Sequence, residues 1–170
     1  MNPKNNRETG SPERTFVIER IFDAPRELVW QVWTAPEHVA HWWGPKDWTL
    51  PVCTMDFRPG GVWLYCMRGS GGEESWGKAI YQEIVEPERI VFTDTFADAE
   101  GNVNERMPSM LTTVLFVELE GKTKLISQTQ FASDAEFESV LAMGMAEGST
   151  QMWDRLEAYL RKKTEEQLGV

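Results

Sequence analysis

A chain of 170 residues, 41% hydrophobic and with a net charge of −10, has the length of one domain and enough apolar material for a core. The negative balance excludes a general nucleic-acid binder, because phosphate contacts need clustered cations, and it disfavours binding to anionic membrane surfaces. Apolar runs fall short of the roughly 20 residues of a membrane span, so no membrane insertion is expected.

Residues 1–14 are polar, carry Pro, Gly and Asn, and lack the apolar stretch of a signal peptide. They predict a mobile tail on a cytoplasmic protein. Thr15–Phe22, "TFVIERIF", sets Phe16, Ile18 and Phe22 on one face and Glu19 on the other, which is a strand. "DAPRELVWQVWT" then opens a helix, with Pro25 suited to its first turn and Glu27 to its dipole. Pro36 starts a second short helix to about Trp42, stopped by Gly44-Pro45.

The segment His41–Trp48, "HWWGPKDW", holds three tryptophans. Neighbouring helical side chains point about 100° apart, so Trp42 and Trp43 do not share one core face. At least one therefore sits at an edge, a turn or a cavity wall, or both anchor the Gly-Pro turn in the core. Which indole does which is open at this level.

Six strand-like runs follow: about Trp48–Phe57, Val62–Met67, Ser75–Val85, Arg89–Phe96, Met110–Leu119 and Lys122–Phe131. Short Gly- and Pro-bearing links between them favour antiparallel neighbours. A four-residue loop at Arg58–Gly61 sets Phe57 opposite Val62, Met55 opposite Leu64 and Cys53 opposite Cys66. That face is wholly apolar and is expected to look toward the last helix, with Trp63 and Tyr65 on the other side. The two thiols are then neighbours, expected to stay reduced as small core residues. A homodimer, if formed, is expected to use apolar or aromatic surface and no disulfide.

Ser133 with Glu136 three residues on is a capping box. A single long helix is predicted from about Asp134 to Lys163, with Phe137, Leu141, Met145, Gly148, Met152, Leu156 and Tyr159 as its apolar stripe. Gly144 and Gly148 each cost about 1 kcal/mol in a helix interior. They make room for a ligand or for close packing, or mark a kink. Met143, Met145 and Met152 beside them are adaptable fillers.

Candidate chemistry is sparse. His38 and His41 lie on one helical face, but no HExxH or Cys cluster supplies further zinc ligands, and they read as a surface or partly buried pair. "RGSGG" at Arg68–Gly72 lacks the Lys-Ser/Thr of a phosphate loop and reads as a hairpin turn. Asp94 interrupts an otherwise apolar strand face of Ile90, Phe92 and Phe96. It reads as a solvated strand-end acid with Arg89 and Arg106 as charge partners, or as a cavity acid.

"HWWGP", "DFRPGG" at Asp56–Gly61, "GKAIYQEIVEPERIVFT" at Gly77–Thr93 and "GMAEGSTQMWDRLEAYL" together resemble a known family. They are similar to bacterial homologues of the C-terminal domain of the activator of the heat-shock-protein-90 ATPase, in the START or SRPBCC superfamily. The resemblance covers about Arg14 to Lys163. It implies an α+β helix-grip fold: a curved antiparallel sheet of about seven strands around a long C-terminal helix, with two short helices after the first strand. Residues 15–163 are the domain and residues 164–170 a C-terminal tail.

The resemblance also implies a cavity that binds a hydrophobic or lipid-like small molecule. Its expected wall is Trp42, Trp43, Met55, Phe57, Leu64, Phe92, Asp94, Met145, Gly148 and Met152. No catalytic residue, metal or cofactor is assigned. Two alternatives stand beside this reading: an enzyme of polyketide cyclase, aromatase or hydrolase type using the same pocket, and a chaperone-partner interaction module. Only a short tail precedes the first strand, where the eukaryotic co-chaperone has a large domain.

Overall fold

Strand periodicity and turn chemistry build one antiparallel sheet, seen in a computed structural model that describes residues 14–169. The expected N-terminal tail, apart from Arg14, lies outside the described residues. The elements are β1 (Thr15–Phe22), α1 (Arg26–Thr34), α2 (Pro36–Val39), β2 (Thr49–Met55), β3 (Val62–Arg68), β4 (Glu74–Val85), β5 (Arg89–Ala97), β6 (Met110–Leu119), β7 (Lys122–Gln130), α3 (Asp134–Ala142) and α4 (Met145–Gln167). The sheet order is β1-β7-β6-β5-β4-β3-β2. β2 through β7 follow one another as hairpins, and β1 closes the far edge against β7. The α+β helix-grip fold expected from the sequence is therefore present.

The hairpin of β2 and β3 departs from expectation by one residue. Met55 pairs with Trp63, Cys53 with Tyr65 and Val52 with Cys66. The Asp56 N–H donates to the Val62 carbonyl, so the loop has an odd number of residues. Gly60 and Tyr81 donate across to the carbonyls of Tyr81 and Gly61, which draws the loop glycines onto β4. A one-residue slip turns every side chain to the opposite face. Trp63 and Tyr65 therefore enter the core, while Leu64 and Cys66 face away from it. Cys53 lies on the inner face, so the two thiols sit on opposite sides of the sheet and the expected facing pair is not formed.

The C-terminal helix is broken. The Ser133 hydroxyl accepts from the Glu136 N–H as the capping box requires, and α3 then ends at Met143. Gly144 takes a left-handed conformation, φ 92°, which favours glycine, and α4 restarts at Met145. α4 runs one turn beyond the expected end at Lys163. Its buried residues are Trp153, Leu156 and Leu160, each contributing about 1.5–3 kcal/mol by burial. The buried stripe is thus turned toward Trp153, which the sequence reading left out.

Among the described residues no helix is long and apolar enough to cross a membrane.

Candidate functional site

The two indoles of "HWWGP" diverge. Trp42 is fully buried, donates its indole N–H to the Val32 carbonyl at 3.0 Å, and packs on Trp33 of α1. Trp43 stands edge-on to both Trp42 and Trp33 and reaches on to the sheet, meeting Trp63 and Tyr65 at ring-centre distances of 4.7 and 5.7 Å. Arg155 of α4 holds the turn between them and the sheet. Its guanidinium donates to the carbonyls of His41, Gly44 and Pro45.

Trp43 forms one wall of a cavity of about 270 Å³ between the sheet and the helix break, open to solvent on one side. Its floor is Tyr65, Met67, Gly77, Asp94 and Phe96, and its far side is Val140, Met143, Gly144, Met145, Gly148 and Met152. A second, more enclosed chamber of about 150 Å³ continues toward Phe16, Ile18, Trp33, Phe92 and Trp153. The two share Trp43, Asp94, Met110, Met145, Ser149 and Met152, so Asp94 stands at their junction.

Asp94 is an inward residue of β5, beside Phe92 and Phe96 as strand alternation dictates. It is half-buried and lines both chambers. The Tyr65 hydroxyl donates to its carboxylate, at 3.1 and 3.0 Å from the two oxygens, and the Thr95 backbone N–H assists. Burial still dominates and pushes the carboxyl up to about 7, with the Tyr65 bond opposing the rise. The Tyr65 phenol is itself held well above its usual range by burial and by the adjacent Asp94 charge. Gly77 makes this geometry possible. It pairs with Tyr65 across the strands, and a Cβ there would run into the Tyr65 ring. The absent side chain lets the ring lie over β4 and bring its hydroxyl to Asp94.

Of the expected wall, Trp43, Phe92, Asp94, Met145, Gly148 and Met152 line one chamber or both. Trp42 does not, because its indole is committed to the α1 carbonyl. Phe57 packs between Trp30 and Tyr81 and lines neither chamber. Met55 packs on the core without reaching either chamber, and Leu64 faces away through the register slip. Tyr65 and Met67 were missed for that same reason; Phe96 shared the strand face of Asp94 without being drawn into the wall, and Trp76 and Met110 carried no signal of their own.

The remaining candidates have other occupations. His38 Nδ1 lies 2.7 Å from the Tyr159 hydroxyl and His41 stacks on the same ring. Arg89, an expected partner of Asp94, pairs with Glu83. Cys53 is pushed up to about 11 by burial, which makes its thiol a poor nucleophile.

The family model described as Activator of Hsp90 ATPase homolog 1-like protein matches residues 23–161. Among solved structures, an Arthrobacter aurescens protein is similar at 30% identity and TM-score 0.83, over 89% of this chain and 88% of that one. A Mycobacterium smegmatis protein is similar at 31% and 0.80, over 86% and 90%. The AHSA1 protein of Silicibacter pomeroyi shares the fold at 20% and 0.71, over 88% and 99%. Among curated proteins, none matches the chain. The family match spans most of the domain, including the Trp43 turn, the Tyr65–Asp94 strands and the helix break, and the chain therefore belongs to the Activator of Hsp90 ATPase homolog 1-like family.

Proposed function

We propose that the chain binds a small, mainly apolar molecule in the paired chambers between the sheet and the broken helix. The observation that carries this is a cavity left unfilled by side chains in a core otherwise crowded with aromatic rings, with a polar pair set in its floor. Ligand sites are commonly of this kind: concave, largely apolar, with few polar groups to fix orientation. An interaction module of chaperone-partner type would be expected instead to fill this space.

Calorimetric titration with indole, a neutral apolar probe, tests the reading. Binding by the wild type and its loss in Gly148→Leu supports it; equal binding by both, or by neither, refutes it. The Tyr65–Asp94 pair favours a second reading, an enzyme of cyclase, aromatase or hydrolase type. A carboxyl that titrates near neutrality can both give and accept a proton at physiological pH. Turnover abolished in Asp94→Asn with binding retained would select that reading.

A further inference from the structure

Resting on the cavity reading above, we infer that the preferred ligand class is an apolar molecule bearing one protonated amine, anchored on the Asp94 carboxylate. The chambers hold a single acid and, among the described residues, neither Lys nor Arg lines them. The other titratable groups facing Asp94 are the phenols of Tyr65 and Tyr81, the latter with its hydroxyl unpartnered, while the Cys53 thiol acts on both phenols. All three are held neutral by burial. Among the described residues no cation offsets the carboxylate, and a ligand ammonium would.

The acceptor capacity is there. A carboxylate has about four lone-pair sites, and Tyr65 and the Thr95 N–H do not use them all. Around it stand the rings of Trp43, Phe92 and Phe96, whose faces attract a cation as well as an apolar body. The net charge of −10 draws cations toward the protein. An anionic ligand would meet the opposite of each of these terms.

Phenethylamine, phenethyl alcohol and hydrocinnamate, similar in shape and different in charge, separate the possibilities by calorimetry. At about pH 8 the amine is expected to bind about tenfold or more tightly than the alcohol, since the bond to Asp94 is charge-assisted. Its affinity should fall about tenfold between pH 8 and 6, as the fraction of ionised Asp94 falls. An alkyl amine stays protonated throughout, so the change belongs to the protein.

Asp94→Asn should bind the alcohol and lose both the amine preference and the pH dependence. Where that variant does not fold, Tyr65→Phe serves: amine preference persists and its pH midpoint rises, because the Tyr65 bond no longer favours ionisation. Alcohol binding without amine preference, or preference kept in Asp94→Asn, overturns the amine inference and leaves the cavity reading intact. Binding of none of the three overturns both.

Discussion

Asp94 makes the fold itself sensitive to pH, and Asp94→Asn measures how much. Its carboxyl is raised from 3.8 to about 7 in the native state. The native state then holds a proton that the unfolded chain has released throughout that window. Stability attributable to Asp94 is therefore fully present below about pH 4 and lost as pH rises through 7. At about 1.4 kcal/mol per pH unit, the loss reaches about 4 kcal/mol at pH 8. Asparagine is neutral at every pH and its carbonyl can still accept from Tyr65. Urea unfolding of both proteins, at steps from pH 4 to pH 8, should show the variant gaining on the wild type as pH rises. The difference between the two curves cancels the other carboxylates. A wild type that gains on Asp94→Asn as pH rises, or a flat difference, would refute the argument that burial outweighs the Tyr65 bond.

Three further outcomes are expected. Gly77→Ala should displace the Tyr65 ring and cost about 1–3 kcal/mol as overpacking, with the Asp94 midpoint rising as its donor is lost, readable by the same pH series. Gly148→Leu should block probe binding without lowering the melting temperature. The atom nearest a new Cβ is Pro45 Cγ at 3.6 Å, and leucine favours a helix by up to about 1 kcal/mol over glycine. Arg155→Met should lose its bonds to the three carbonyls, cost about 1.5–3 kcal/mol, and lower the melting temperature by several degrees in thermal unfolding.

Strand boundaries and helix starts were legible because each run carried its own period and its own start, whereas the end of α2 at Val39 and the break at Gly144 were not. The Ser133–Glu136 cap and the Asp94 position on an apolar face are local facts of the same kind. The hairpin register was not legible, because it depends on Gly60 and Gly61 pairing with Tyr81 on a strand that comes later in the chain. That single residue of slip hid Tyr65, and with it the partner that turns Asp94 from an apparent strand-end acid into a cavity group. The diverging roles of Trp42 and Trp43 were foreseeable from helical angles. Their assignment needed partners distant in sequence: the Val32 carbonyl that takes the Trp42 indole, and the Trp63 and Tyr65 rings that meet Trp43.

For a molecule bound as proposed, the helix break at Gly144 sets a firm wall of the cavity against a looser one. The floor, with Tyr65 and Asp94, belongs to the sheet, and α4 is pinned by Trp153, Leu156, Leu160 and the Arg155 bonds. α3, by contrast, buries only Val140, and it carries that residue to the rim where Met143 stands 57% exposed. Segments with few buried groups open at the lowest free energy. The residence time of such a molecule would depend on displacement of α3 about Gly144, while Val140 and Met143 share with the floor in setting affinity. Substitutions in α3 outside the cavity wall are then expected to change exchange rates more than equilibrium occupancy.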